Sequence, residues 1–398
     1  MSASGREVVL VAGVRTAVGD FGGALKDHAP TALAAMVVRE VLARAQVAPA
    51  EVGHVVFGNV IQTEPRDMYL ARVAAIDGGV PQEVPALTLN RLCGSGMQAI
   101  VSAAQAIALG DCEIAVAGGA ENMSRSPYSV PAARWGQRMG DEALVDWMLG
   151  ALTDPFDRQH MGITAERIAQ RWGFDRDTQD AYAAESHRRA AVAQAEGRFK
   201  AQILPVELKS KKGTVMFDLD EHVRGDTTAE ELGRLRAVFM KDGGTVTAGN
   251  ASPLNDAAAA VVLMSRAEAD RRGVAPMARL AGYGHAGVDP AIMGIGPVPA
   301  VRNALTRAGV KVDDLDVIES NEAFAVQACA VSKDLGFDPA KVNPNGGAIA
   351  LGHPVGATGT IISVKALHEL QRTGKRWALA TMCIGGGQGI ATVWERLH

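Results

Sequence analysis

Aromatic residues are scarce in this 398-residue chain, at 5%. Stacking platforms of the kind that bind single-stranded nucleic acid are therefore not expected. Positive charge is not in excess either: 40 basic side chains stand against 44 acidic ones, a net charge of −4. Nucleic-acid binders are normally basic, so that class of partner is not expected. Cysteine is limited to Cys93, Cys112, Cys329 and Cys383, with no C-x-x-C pair. Such usage is neither a disulfide framework nor the ligand spacing of a zinc site, and no metal is expected. Met1 to Arg6 carry no apolar signal core, and no run approaches ~18 uninterrupted apolar residues. Together these absences point to a reduced, cytoplasmic protein with no membrane partner.

What is present is ordinary globular material, 47% apolar and 21% charged, in a chain long enough for two or three packed units. Over the first 120 or so residues, strand and helix signals alternate. Glu7–Ala12, His54–Val60, Ala86–Asn90 and Glu113–Ala117 read as strands, and Thr31–Ala45 and Gly96–Leu109 as helices, the latter closed by Gly110. This alternation predicts an α/β fold with helices on the faces of a mostly parallel or mixed sheet. Roughly 122–251 differ: prolines, many charges, a long polar helix Thr178–Glu196 and a small basic cluster of Lys209, Lys211 and Lys212. This stretch reads as an insertion over the face of the main body, or as a solvated helical appendage.

The last 125 or so residues return to α/β alternation and echo the first. Leu42, Arg44, Ala45, Val47 and Val55 recur as Leu305, Arg307, Ala308, Val310 and Ile318 at a constant offset of 263. Gly118–Gly119 after one strand also resembles Gly385–Gly386 after another. A duplicated α/β half explains both, with a site where the loops of the two halves meet.

Five motifs carry chemistry. In Asn90-Arg-Leu-Cys93-Gly-Ser-Gly-Met97, a thiol stands between a strand and a helix, with Gly94 and Gly96 allowing a sharp turn. A helix N-terminus lowers a thiol pKa and presents N–H groups to an oxyanion, although a buried structural cysteine fits the motif alone equally well. In Asn345-Gly-Gly-Ala-Ile-Ala-Leu-Gly-His353-Pro-Val-Gly-Ala-Thr-Gly359, five glycines and Pro354 surround one histidine. Such a histidine can take a thiol proton or simply cap the next helix, and Gly352 leaves room for a ligand or another chain. The phosphate-loop pattern Gly-x-x-x-x-Gly-Lys-Ser/Thr is missing. Thr381-Met-Cys383-Ile-Gly-Gly-Gly-Gln-Gly389 places a second thiol in a glycine turn after the strand Trp377–Met382. It reads as a proton carrier beside exposed N–H groups, or as a tight connection with a buried cysteine. Ser320-Asn321-Glu322-Ala323-Phe324 offers Asn321 to orient a water or polarise a carbonyl, with Glu322 reading blandly as a helix-dipole partner. Thr247-Ala-Gly249-Asn250-Ala-Ser252-Pro-Leu-Asn255-Asp256 reads as the opening of an alanine-rich helix at Asp256.

In this order, the five motifs resemble the thiolase family along essentially the whole chain, and most resemble the bacterial acetyl-CoA acyltransferases, the β-ketothiolases. Gly58-Asn-Val-Ile-Gln-Thr-Glu-Pro-Arg-Asp-Met68 is similar to the broad-specificity type that also takes β-ketovaleryl-CoA in polyhydroxyalkanoate synthesis. The resemblance implies a thiolase fold: two duplicated halves, α/β/α/β/α in five layers, with an inserted loop domain. Residues 1–121, completed by about 252–273, would form the first half, 122–251 the loop domain and 274–398 the second half. It implies that Cys93 carries the acyl group, His353 activates it and Cys383 moves the substrate α-proton. One oxyanion hole would use His353 and a water held by Asn321, and the other the N–H groups of Cys93 and Gly385. Ser252 would meet the pantetheine arm and Arg224 the adenine end of coenzyme A, while His160, Met161 and Phe324 would line the acyl pocket. No tightly bound cofactor is implied; coenzyme A and acyl-CoA are substrates, and the assembly would be a homotetramer. Pro253, Ala257 and Gln388 depart from the family pattern without removing a catalytic group.

Three other readings fit the motifs less well. A β-ketoacyl synthase relative would carry two histidines, or histidine and asparagine, where this chain has Cys383. A non-catalytic acyl-CoA or lipid carrier would have lost a member of the triad. An oxidoreductase is disfavoured by the lack of Gly-x-Gly-x-x-Gly after a strand.

Overall fold

The computed structural model describes residues 6–210 and 213–397. Lys211 and Lys212 of the basic cluster, like Met1–Gly5, lie outside the described residues. Among the described residues the main sheet has eleven strands, nine of them along one continuous path: β1 (Val8–Thr16), β2 (His54–Gly58), β3 (Ala86–Leu89), β4 (Ile114–Asn122), β5 (Asn255–Ser265), β6 (Ala278–Gly287), β7 (Val317–Ser320), β8 (Trp377–Ile384) and β9 (Gln388–Glu395); the short strands Gly19–Asp20 and Ile203–Leu204 pair beside β5 and β1. The nine run in the order β7-β8-β9-β6-β1-β5-β4-β2-β3.

The order contains the duplication. From β1 outward the pairings are antiparallel to β5, antiparallel to β4 and parallel to β2. From β6 outward they are antiparallel to β9, antiparallel to β8 and parallel to β7. Even the outermost parallel pair, β2 with β3, has its counterpart in the bridge from Ile318 to Val342. The halves join through β1 and β6, which share only the pairs Val9↔Arg279 and Leu10↔Ala278. The repeated residues fall where duplication requires: Leu42 and Arg44 in helix Pro30–Arg44 against Leu305 and Arg307 in helix Pro297–Ala308, and Val55 in β2 against Ile318 in β7.

Helices make the remaining layers. Pro30–Arg44 packs on β1, β4 and β5 from outside, and Pro297–Ala308 does the same on β6 and β9. Between the half-sheets lie Ser95–Leu109 and Val355–Thr373, packed on each other. Val364, Leu367 and Leu370 share one core with Val56 and Ala117 of one half and Val317 and Ala378 of the other. Each such side chain contributes roughly 1.5–3 kcal/mol by leaving water, so the buried helix pair holds the halves together. Close approach requires glycine: a Cβ on Gly359 would lie 2.3 Å from the Met97 nitrogen, and one on Gly119 would lie 2.1 Å from the Gly356 oxygen. By composition the window Leu92–Leu109 is long and apolar enough to cross a membrane, but 56% of it is buried in this central layer.

Two local expectations are overturned. The alanine-rich stretch from Asp256 is the strand β5, not a helix. Every residue of β5 is buried, between β1 and β4 and under helices on both faces, so no polar alternation betrays a strand. Gly118–Gly119 is not the counterpart of Gly385–Gly386: the first pair lies inside β4, opposite Ala260 and Ala259, and the second lies in the β8–β9 turn.

Among the described residues, 123–254 contribute to the main sheet only the short strand Ile203–Leu204, beside β1. They hold helices Met161–Trp172 and Arg176–Ala195 and a ribbon of Val206–Ser210 with Gly213–Phe217. Arg15, at the end of β1, forks onto Asp220 at 2.6 and 2.9 Å, and both side chains are buried. This bolts the loop carrying Arg224 to the sheet. Removing either partner of such a pair strands a buried charge and costs on the order of 3–5 kcal/mol.

Candidate active site

Cys93 stands at the mouth of the central helix Ser95–Leu109, directly after Leu92. The sharp turn is made by Leu92, at φ 45°, and not by the neighbouring glycines; Gly94 has φ −77°. Leu92 is held there by polar partners: its N–H donates to Asn90 Oδ1 at 2.8 Å, and its carbonyl accepts from Ser95 Oγ at 2.6 Å. Gly94 serves packing instead, since a Cβ there would meet Ile384 at 2.5 Å. Burial pushes the Cys93 thiol up to about 11, while the N–H of Gly385 and its own N–H pull it back. At neutral pH Cys93 is therefore a thiol.

His353 is held in a single tautomer. Thr358 Oγ1 donates its one proton to the Pro354 carbonyl at 2.9 Å, so the 2.7 Å contact with His353 Nδ1 must be an Nδ1–H donation. The proton is thus fixed on Nδ1, and Nε2 keeps a lone pair with no protein partner. Burial pushes the imidazole down to about 4, so the ring is neutral at physiological pH. A histidine with a depressed folded pKa stabilises the fold above its unfolded value of ~6.5, and that contribution is lost as pH falls toward the folded one. An NMR titration of the His353 ring should find a midpoint near 4; a midpoint in the ordinary histidine range would contradict a ring that is neutral at physiological pH.

Cys383 is the penultimate residue of β8, two positions before the glycine turn, and is buried. Burial first, then the neighbouring Cys93, raises its thiol well above the ordinary range. Cys93, His353, Cys383 and Gly385 all line one cavity of about 730 Å³, a size suited to a small-molecule substrate. Residues 93, 353 and 383, far apart in sequence, therefore share a chamber.

The same cavity takes in Arg224, Ser252, His160, Met161 and Phe324. His160 caps helix Met161–Trp172 by accepting the Gly162 N–H at Nδ1, 3.0 Å, and stacks on Phe239 at 4.6 Å between centroids. Phe239 in turn meets Phe324 edge-on. A Cβ on Gly385 would lie 2.9 Å from Met161, so a glycine lets Met161 close over the site. Ser252 donates from Oγ to the Ala323 carbonyl at 3.1 Å. Arg224 is exposed at the outer end, where its N–H donates to His187 Nδ1 at 3.2 Å.

Asn321 is the exception. It is buried and borders a separate small space with Gly347, Gly352, Thr358 and Lys365, and it is not among the cavity-lining residues. Neither its amide nitrogen nor its oxygen has a hydrogen-bond partner. Glu322 does not serve a helix dipole. It accepts from Ser186 Oγ, Asn343 Nδ2 and the Ile349 N–H, pinning the His353 loop to helix Arg176–Ala195. Thr358, Leu92 and Phe239 escaped sequence reasoning. Only Thr358 left a signal there, a hydroxyl five positions beyond the histidine in the same motif.

Residues 8–267 match the family model "Thiolase, N-terminal domain" and residues 274–396 match "Thiolase, C-terminal domain". The chain belongs to the thiolase family. This thiolase is 69% identical over 392 residues to the beta-ketothiolase BktB of Cupriavidus necator, covering 98% of this chain and 100% of that one. It is 50% identical over 399 residues to an acetyl-CoA acetyltransferase of Syntrophomonas wolfei, covering 98% of this chain and 100% of the relative. Among solved structures, the Bacillus anthracis acetyl-CoA acetyltransferase superposes with a TM-score of 0.97 at 46% identity over the whole of both chains. Human mitochondrial 3-ketoacyl-CoA thiolase superposes at 0.96 and 44% identity, covering 98% of this chain and 99% of that one, and has also been solved in complex with CoA. This thiolase is thus an acyltransferase with the thiolase fold. Among its described residues no group of three or more His, Cys, Asp or Glu is placed to hold a metal ion.

Proposed function

We propose that this thiolase is a β-ketothiolase that joins acetyl-CoA to acetyl-CoA or a short acyl-CoA in a reversible Claisen condensation, and cleaves β-ketoacyl-CoA with coenzyme A in reverse. The observation that carries the reading is the convergence of Cys93, His353 and Cys383 on one cavity. In the synthetic direction His353 Nε2 takes the Cys93 proton, and the sulfur attacks the thioester carbonyl. Coenzyme A leaves as a thiolate and takes the Cys383 proton. Cys383, now a thiolate, removes the α-proton of acetyl-CoA, and the enolate attacks the acyl group on Cys93. The released Cys93 sulfur recovers its proton from His353. Splitting the reaction at a covalent intermediate replaces one difficult encounter by two easier steps.

The N–H groups of Cys93 and Gly385 form one oxyanion hole in this proposal. His353, with a water held by Asn321, forms the other, a reading supported by the unpartnered buried amide. Each donor is worth on the order of 3–4 kcal/mol at the developing charge. Ser252 meets the pantetheine arm, Arg224 the adenine end, and His160, Met161 and Phe324 the acyl group. Coenzyme A and its thioesters enter as substrates, with no tightly bound cofactor.

The proposed division is 1–121 with about 252–273, the loop domain 122–251, and 274–398. It is supported by the repeated strand pattern and by the small share of the main sheet that 123–254 supply. A homotetramer is supported by two exposed apolar areas: Tyr128, Trp135, Met139 and Leu144 around one short ribbon, and Met68, Tyr69 and Leu87 beside the edge strand β3. Four free cysteines suit a reduced, cytoplasmic setting. The test is thiolysis of acetoacetyl-, β-ketovaleryl- and longer β-ketoacyl-CoA, with mass spectrometry of the Cys93 peptide. Turnover of the short substrates with an acyl mass on that peptide is expected; no turnover of any of them would end the reading.

A further inference from the structure

The ring of His353 is oriented by Thr358, but its backbone is held by a residue that the mechanism above does not use. Asn255, the first residue of β5, is completely buried. Its Oδ1 accepts the His353 N–H at 2.8 Å. Its Nδ2 donates to the Gly19 carbonyl at 3.1 Å and approaches Asp20 Oδ1 at 3.4 Å. The side chain is thus used at both ends, one on the base loop and one on residues 19–20. Shape completes the fit. Gly352 sits at φ 109°, and a Cβ there would lie 2.5 Å from Asn255 Cγ, so the backbone before His353 lies against the amide. The far side of the bracket is anchored in turn. Asp20 Oδ1 meets His222 Nδ1 at 2.9 Å, and the Asp20 N–H donates to Glu221 Oε2 at 2.9 Å. Arg224 follows two residues after His222, at the outer end of the cavity.

We infer that Asn255 is a positioning residue for His353: its carboxamide holds the base loop against residues 19–20 and thereby sets where Nε2 points. The alternative, a buried amide that serves only folding, predicts lost stability with unchanged chemistry. Positioning predicts lost chemistry in protein that is still folded, because a base displaced by about 1 Å can lose on the order of 100-fold in rate.

The inference rests on His353 being the base of Cys93, and the experiment separates the two. Asn255→Leu keeps the branched outline of the side chain and removes the acceptor, whereas Asn255→Asp keeps an oxygen for the His353 N–H. Turnover, the Michaelis constants for acyl-CoA and the pH dependence of Cys93 alkylation by iodoacetamide are measured for both, with circular dichroism as the check on folding. For Asn255→Leu, kcat should fall by roughly 10- to 100-fold with KM changed less than about threefold. Alkylation should slow in parallel, with its midpoint moved to higher pH. Asn255→Asp should retain at least about tenfold more turnover than the leucine variant. Should the leucine variant not fold, Asn255→Ala, which cannot clash, takes its place under the same criteria. A folded variant lacking the acceptor with kcat and alkylation within about twofold of wild type, an effect confined to KM, or equal losses in the leucine and aspartate variants would each overturn the inference. His353→Ala is the control: if it leaves Cys93 alkylation unchanged, the assignment of the base fails whatever Asn255 does.

Discussion

Cys93→Ala lowers acyl transfer by roughly 10⁴-fold or more and removes the acyl mass from the peptide that spans residue 93. The size of the effect follows from the arrangement. Cys93 is the thiol at the N-terminus of the buried helix Ser95–Leu109, with its own N–H and that of Gly385 against it. Cys383 cannot substitute: burial and the neighbouring sulfur keep it protonated. Cys112 and Cys329 lie outside the cavity, and burial holds their thiols at about 11 and about 12. No other sulfur is therefore both placed and activated. The measurement is steady-state thiolysis together with intact-peptide mass after incubation with acetyl-CoA. Turnover within tenfold of wild type would dismiss Cys93 as the nucleophile.

Cys383→Ser separates the two halves of the reaction. The variant should still load an acetyl group onto Cys93, while condensation falls by about 10²- to 10⁴-fold, the usual worth of a positioned proton-transfer group. Serine is close in shape, so the glycine turn after β8 can keep its form. Its hydroxyl is a far weaker acid than a thiol, so the base for the α-proton is lost. Acylation survives because a coenzyme thiolate, with a thiol pKa of roughly 8.5, departs without assistance and can be protonated by solvent. Single-turnover acylation measured beside steady-state condensation distinguishes the steps. Equal loss in both would give Cys383 a role in loading the enzyme, and loss in neither would remove it from proton transfer.

Much of the site could be read from the chain because its chemistry is concentrated in short segments. A thiol before a helix, a histidine among glycines and a thiol in a glycine turn are local patterns. Each has a local cause: a helix dipole, a backbone that must come close, a turn that exposes N–H groups. The duplicated half left its mark in five residues because a helix–turn–strand unit repeats its packing each time it is built. The strand β5 was misread for an equally physical reason. A strand buried on both faces has no polar alternation, and its run of alanines is also what a helix prefers.

The supporting residues were not legible, because their partners come from remote parts of the chain. Leu92 takes positive φ although glycines stand beside it, since Asn90 and Ser95 hold that turn from either side. Phe239 lines the cavity, stacked on His160 from a segment almost 80 positions away. Asn255 reaches His353 across 98 positions of sequence.

By itself the sequence located the candidate cysteines and histidine, the helix after Cys93, the glycine turn after Cys383 and two related halves, since these leave marks among neighbours a few residues apart. The tertiary structure alone decided that Cys93, His353 and Cys383 face one chamber and that His353 is neutral with its lone pair on Nε2. It also decided that Asn321 borders a different space. Those outcomes depend on burial and on hydrogen bonds between distant segments, which exist only once the two half-sheets have closed on the helix pair between them.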